Sequence, residues 1–179
     1  MTFMLRCCSC LLALTAPRFS PAGLAQSGTE HGEQSALFAW ANRAAYVGIT
    51  LADDMAAYAM PCIDPSKPLA LPELLWLHAI PNGGERTRSS AGNMKAEGVK
   101  PGVADIFWPV PSSGKHGLYI EMKRRNGVPS DVNDKQRDFR SFVLTRGYAW
   151  CWAKGWLIAR DRLISYACGQ WSAELEEIK

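Results

Sequence analysis

Two short segments decide the fold: Asp105-Ile106-Phe107-Trp108-Pro109-Val110 and Leu118-Tyr119-Ile120-Glu121-Met122-Lys123. Both read as strands, and Pro111-Ser112-Ser113-Gly114-Lys115 between them is typical of a hairpin loop. Side chains alternate between the two faces of a strand, so Glu121 and Lys123 should share one face. The hairpin can also bring Asp105 beside Glu121. We therefore expect two carboxylates and an ammonium to meet at one point of a sheet.

Helical and extended patterns alternate on either side of this pair. Helical spacing of apolar residues runs from about Thr29 to Val47. The order of all elements predicts an α/β fold with a mixed central sheet flanked by helices. The other expected elements are a short helix over 51–60, a buried strand over 74–80, a weak helix over 86–97, a helix from the cap Asn133 to Arg146, a strand over 148–153 and a helix over about 161–171.

Composition limits the protein class. The chain has 179 residues, of which 47% are hydrophobic and 21% charged, and this balance indicates one globular domain rather than a disordered or fibrous protein. No apolar run reaches the roughly 18 residues of a membrane-spanning helix, so we expect no membrane partner. The net charge is only +3, but residues 80–146 carry 12 Lys and Arg against 7 Asp and Glu. That local excess could face a polyanion.

The first 28 residues are expected to lie outside the fold, which should occupy residues 29–179. Arg6 precedes the apolar run 7–14, and Gly23-Leu24-Ala25 has the small-x-small pattern of a signal-peptide cleavage site. A disordered leader and a start codon assigned too early remain open. The six cysteines lack the paired spacing of a zinc site, and reduced thiols in an intracellular protein are expected. Export is the alternative location.

The cluster of Asp105, Glu121 and Lys123 has the chemistry of a metal-dependent phosphodiesterase. Two adjacent carboxylates repel each other, and a divalent cation removes that conflict. Mg²⁺ is typically held by one or two carboxylates together with waters and phosphate oxygens. Lys123 could orient the attacking water and stabilise developing negative charge. The alternative is an exposed strand face with a cross-strand ion pair.

Three segments in this order resemble the VRR-NUC family, a branch of the PD-(D/E)xK nucleases that is common in phage and prophage proteins. They are His78 to Gly84, Lys95 to Ile106 and His116 to Lys123, and the likeness covers about residues 29–156. The resemblance implies a restriction-endonuclease-like αβββαβ core around a metal-dependent site. By position it makes Asp105 and Glu121 metal ligands and Lys123 the catalytic lysine. Ala104 stands where the family usually has proline.

The resemblance also implies roles for residues on two helices. Gln136 would open the helix after the second strand and, with Phe139 and Val143 at i+3 and i+7, face inward near the site. Its alternative is a helix-start glutamine satisfied by the backbone. Glu30 or Glu33 would add a carboxylate from the first helix, and Glu30 is preferred as a metal ligand. Either could instead be a first-turn carboxylate favoured by the helix dipole.

Residues beside the site are candidates for contacting nucleic acid. The candidates are His78, Asn82, Arg86, Arg88, Arg124 and Arg125. Trp150, Trp152 and Trp156 are instead expected in the core or on the sheet surface, and not in a base-stacking platform.

The sequence thus predicts a Mg²⁺-dependent DNA endonuclease, with Mn²⁺ as a substitute ion. The resemblance adds branched DNA, including four-way junctions, as a candidate substrate. Symmetric junction cleavage needs two sites, so this version predicts a homodimer. If the gene is phage-encoded, the protein is expected in the host cytoplasm. A DNA-binding subunit without cleavage and a secreted nuclease are the alternatives.

Overall fold

A computed structural model describes residues 20–54, 68–81 and 96–178 of the chain. The chain divides into two compact units, which meet in sequence between Leu75 and Trp76. The described part of the first unit is helical, and the second unit contains the sheet.

The first unit contains the helices α1 (Pro21–Leu24), α2 (Glu30–Val47) and α3 (Ile49–Asp54). Thr29 caps α2 by accepting a hydrogen bond from the Gly32 amide, at 3.1 Å from Oγ1. The helix predicted from Thr29 to Val47 is therefore confirmed. The indole N–H of one α2 residue, Trp40, donates to Asp53 of α3 at 2.7 Å and holds the two helices together.

Part of the segment expected outside the fold is ordered. Ser20 is buried and caps α1 through a hydrogen bond from the Gly23 amide, and Ala25 in the following 3₁₀ turn is also buried. The folded region thus starts before Thr29, because Pro21 and Gly23 lie in a capped turn that packs against α2. Residues 1–19, which include the candidate signal sequence, lie outside the described residues.

The second unit is built on a four-stranded mixed sheet with helices on its faces. The bounds are β1 His78–Ala79, β2 Ile106–Trp108, β3 Leu118–Lys123, α4 Asp134–Thr145, β4 Ala149–Lys154 and α5 Trp156–Ala167. The strands lie in the order β1-β2-β3-β4. Strand β2 pairs antiparallel with β1 and with β3, whereas β3 pairs parallel with β4. A parallel pair needs a crossover connection, which α4 supplies between β3 and β4. Along the chain, the order α2, β1, β2, β3, α4, β4 agrees with the expected αβββαβ order.

Both faces of the central strands β3 and β4 are covered. On one face, Trp150 and Trp152 of β4 pack with Val143 of α4 in a buried cluster. On the other face, Trp108 of β2 contacts the ring of Tyr166 from α5. The tryptophans at 150, 152 and 156 are buried, so their expected place in the core is confirmed.

Two predicted elements differ from the structure in type or position. The strand expected over 74–80 is a 3₁₀ helix, Pro72–Trp76, followed by the exposed two-residue strand β1. The last helix begins five residues earlier than expected, at Trp156, because Gly155 leaves the strand with a φ of 80°. The predicted helices over 86–97 and 51–60 fall largely outside the described residues.

Two free thiols are described, Cys151 and Cys168. Cys151 is buried in β4, and its burial raises the pKa of the thiol to about 12, while Cys168 is exposed. None of the helices in the described residues combines the length and apolar character needed to cross a bilayer.

Candidate active site

Asp105 is held at the start of β2 by hydrogen bonds on both sides. Its carbonyl oxygen accepts from the Ile80 amide at 2.7 Å, and its Oδ2 accepts from the Met122 amide at 2.8 Å. Burial raises the pKa of the Asp105 carboxyl group above its ordinary value. The Met122 amide, the charge of Lys123 and a hydrogen bond with Glu121 oppose this rise. Asp105 and Glu121 are therefore adjacent, as the hairpin predicted.

Glu121 and Lys123 form a buried ion pair. Lys123 Nζ lies 2.7 Å from Glu121 Oε1. The exposed fraction is 8% for the Lys123 side chain and 1% for the Glu121 side chain. This contact confirms that the two residues share one face of β3, as strand alternation requires. The predicted alternative of an exposed cross-strand pair is wrong, because both faces of β3 are covered.

Gln136 joins the start of α4 to this ion pair. Its Nε2 donates a hydrogen bond to Glu121 Oε1, the same oxygen that Lys123 contacts. Its Oε1 accepts from the Asn133 amide at 2.9 Å. Both sequence interpretations of Gln136 thus hold at once, since the residue is satisfied by the backbone and also reaches the site.

The chemistry of Asp105 and Glu121 is compatible with a divalent cation. The carboxylates of Asp105 and Glu121 carry two formal negative charges, and Lys123 supplies one positive charge. No group of three or more His, Cys, Asp or Glu residues with metal-binding geometry occurs within the described ranges. A set of two carboxylates suits Mg²⁺, which keeps waters and phosphate oxygens as its other ligands.

The two carboxylates at the start of α2 differ in burial. Glu33 is completely buried, whereas Glu30 is exposed in the first turn. Glu33 lies in line with the buried stripe of α2 that continues to Leu37 and Trp40, as its spacing from Leu37 indicated. The preference for Glu30 as the metal ligand is not tested by this difference in burial. A metal-ligand role for either residue stays a prediction.

The candidate nucleic-acid contacts are only partly described. Arg124 and Arg125 are exposed and directly follow Lys123 at the end of β3. His78 is exposed on β1, its ring edge contacts Phe107, and its Nδ1 lies 2.9 Å from the Trp76 carbonyl oxygen. The remaining three candidates, Asn82, Arg86 and Arg88, lie outside the described residues.

Comparison with known proteins identifies the fold. No protein family model matches the chain, and no curated protein matches it. A solved structure described as a VRR_NUC domain protein matches with a TM-score of 0.52 and 21% sequence identity. The match covers 77% of this chain and 87% of that chain. This chain has a VRR_NUC fold.

Two residues that support the site were not among the sequence candidates. Asn133, expected only as a helix cap, holds Gln136 by two reciprocal hydrogen bonds. Gly102, in the loop before Asp105, packs on the backbone of Lys135 in the first turn of α4. The pattern Asn-x-x-Gln is a capping-box signal and could have predicted the first contact. No local signal predicts the second, because it joins segments more than 30 residues apart.

Replacement of Asp105 by asparagine should stabilise the metal-free protein at neutral pH. The folded-state pKa of this carboxyl group is raised above its ordinary 3.8, so the folded state binds the proton more tightly than the unfolded state. Stability is therefore lost as pH rises through the unfolded-state pKa towards the folded-state pKa. Asparagine avoids that loss and keeps an oxygen for the Met122 amide.

Thermal denaturation in EDTA at a series of pH values measures this effect. The melting temperature of Asp105→Asn should exceed that of the wild type at pH 7, and the difference should vanish below pH 3.8. A variant that is less stable at neutral pH without metal would show that the carboxylate is not strained by its burial.

Proposed function

We propose that this chain is a metal-dependent nuclease that hydrolyses phosphodiester bonds in DNA. One observation carries the proposal: two carboxylates, an ammonium and an amide converge on one sheet face, joined through Glu121. The VRR_NUC fold supports the proposal, because the resemblance in sequence to the VRR-NUC family implies such a cluster at a nuclease site.

Asp105 and Glu121 are the proposed ligands of Mg²⁺, for which Mn²⁺ should substitute. When bound, the ion supplies Lewis acidity toward the phosphodiester and lowers the pKa of water. The pair suits this role, because each carboxylate is already held by hydrogen bonds from the chain. Little reorganisation is then needed when the cation and the substrate phosphate arrive.

The other residues of the site position groups and stabilise charge. Lys123 keeps its ammonium in a water-poor position beside Glu121, where it can orient the attacking water and stabilise negative charge on the phosphate. Gln136 donates to Glu121 and so keeps that carboxylate in one orientation. The exposed Arg124 and Arg125 follow the site directly and are proposed to contact backbone phosphates.

Cleavage assays on defined DNA structures test the proposal. Purified protein is incubated with labelled four-way junction, replication fork, splayed arm and linear duplex, in Mg²⁺, Mn²⁺ or EDTA. We expect cleavage in either metal, none in EDTA and none by Glu121→Gln. Preference for the four-way junction, together with a dimer mass in sedimentation analysis, would establish the branched-DNA version.

Absence of cleavage would contradict the proposal. If correctly folded, metal-loaded protein cuts none of the four substrates, the proposal of a nuclease is wrong. Retained affinity for the same DNA would then identify a binding subunit without cleavage.

A further inference from the structure

We propose that Asn133 is a positioning residue of the active site: acting through Gln136, it sets the orientation of the Glu121 carboxylate. The inference deepens the proposed nuclease function and rests on it. Asn133 itself is exposed, and two hydrogen bonds, one from its side chain and one from its backbone amide, join it to Gln136.

The first step is the reciprocal pair of hydrogen bonds at the start of α4. Asn133 Oδ1 accepts from the Gln136 backbone amide at 3.1 Å, and the Asn133 backbone amide donates to Gln136 Oε1 at 2.9 Å. This capping box closes the first turn of the helix. It also decides which way the glutamine amide faces, since the oxygen is engaged by Asn133 and the nitrogen must point away from it.

The second step is the contact of that nitrogen with the site. Gln136 Nε2 donates to Glu121 Oε1, which also receives Lys123 Nζ at 2.7 Å. An amide turned the other way would present its oxygen to the carboxylate and repel it. The cap therefore ensures that a donor, and not an acceptor, faces Glu121.

The third step is that the rest of α4 is held independently of the cap. Val143 is buried two turns further along the helix in the cluster with Trp150 and Trp152. Gly102 packs on the backbone of Lys135 in the first turn. The Asn133 side chain acts on this amide indirectly: its Oδ1 binds the Gln136 backbone amide and so keeps the Asn133 backbone amide, the donor to Gln136 Oε1, in place at the start of the helix. Loss of the side chain should therefore let the backbone of residue 133 move and release the glutamine amide, while the helix stays docked. The consequence falls on Glu121, whose Oε1 would keep its contact with Lys123 but lose the donor from Gln136.

Variants of Asn133 separate positioning from simple stability. Asn133→Ala removes the capping oxygen, whereas Asn133→Ser keeps an oxygen that can accept from the Gln136 amide. Val143→Ala is the matched control, because it weakens the same helix through core packing and has no link to Gln136. For each full-length protein we would measure the metal-free melting temperature, Mn²⁺ affinity by calorimetry, and kcat and KM for a DNA substrate.

We expect Asn133→Ala to weaken Mn²⁺ binding and to lower kcat by about tenfold each, the loss typical when a group that orients a metal ligand is removed. KM for DNA should stay unchanged, and Asn133→Ser should restore both values. Val143→Ala should lower the melting temperature at least as much, with Mn²⁺ affinity unchanged.

Two results would overturn the inference. One is an Asn133→Ala protein that melts earlier but binds Mn²⁺ and cleaves DNA like the wild type. The other is a loss that serine fails to restore. Failure of the proposed function is distinct from both, because the wild type would then neither bind Mn²⁺ nor cleave DNA.

Discussion

Lys123→Met should destabilise the metal-free protein by about 3 kcal/mol, whereas Glu121→Gln should leave its stability unchanged or raise it. The wild-type cluster holds two carboxylates and one ammonium. Removal of the ammonium leaves Asp105 and Glu121 side by side, with no positive charge from Lys123. Removal of the Glu121 charge instead leaves one carboxylate and one ammonium, whose opposite charges compensate each other.

Both variants should nevertheless lose cleavage by about a thousandfold or more, because each removes a group that the proposed reaction uses. The two variants would then share the loss of cleavage activity but differ in the free energy of unfolding. Chemical denaturation in EDTA and initial cleavage rates in Mg²⁺ measure the two properties separately.

Lys154→Met is the matched control for this pair. Lys154 lies opposite Lys123 in the β3–β4 register, but it is exposed at the end of its strand. Its ammonium contacts the Trp152 ring at 5.5 Å, so its loss should cost at most about 1 kcal/mol. If Lys123→Met were no more destabilising than Lys154→Met, the buried ion pair would not carry the stability assigned to it.

Gly102→Ala should be far more damaging than Gly98→Ala, although the two glycines have nearly the same φ angle. Their φ angles are 91° and 94°, in a region that costs other residues roughly 1–2 kcal/mol. A Cβ at Gly98 would meet nothing within 4 Å. A Cβ at Gly102 would lie 2.6 Å from the Cβ and the carbonyl oxygen of Lys135, closer than packed atoms allow.

Gly102→Ala should therefore lower the free energy of unfolding by about 2 kcal/mol or more beyond the effect of Gly98→Ala, since the backbone must move to relieve the clash. Movement there shifts the loop before Asp105 against the helix turn that carries Gln136. Cleavage by Gly102→Ala should fall even at temperatures where the variant is folded, while Gly98→Ala should cleave normally. Denaturant unfolding and cleavage rates well below the melting temperature test both points. Equal losses for the two variants would mean that the contact with Lys135 does not hold the site together.

Local rules explain which elements were predicted well. The bounds of β3 agree with the prediction at both ends. The helix capped by Asn133 begins where predicted and ends at Thr145, one residue before the predicted Arg146. Alternation along β3 also placed Glu121 and Lys123 on one face. These features depend on neighbours in sequence, so a single chain reveals them.

The errors share a different cause. The apolar run over 74–80 read as a buried strand, but it forms a 3₁₀ helix and a two-residue exposed edge strand. The run at Trp156-Leu157-Ile158 opens a helix, although its composition suits a strand equally well. Short apolar runs do not distinguish these states, because the choice depends on which surface they pack against.

By itself, the sequence predicted an α/β fold with a mixed sheet and the meeting of Asp105, Glu121 and Lys123, since strand alternation and hairpin pairing bring these three residues together. The αβββαβ core was implied by the resemblance to the VRR-NUC family. Only the tertiary structure decided that Gln136 reaches Glu121 while it closes its own helix, and that Gly102 packs on Lys135. It also decided that Glu33 is buried and Glu30 exposed. Burial and contact between distant segments are properties of the packed chain, and no local pattern encodes them.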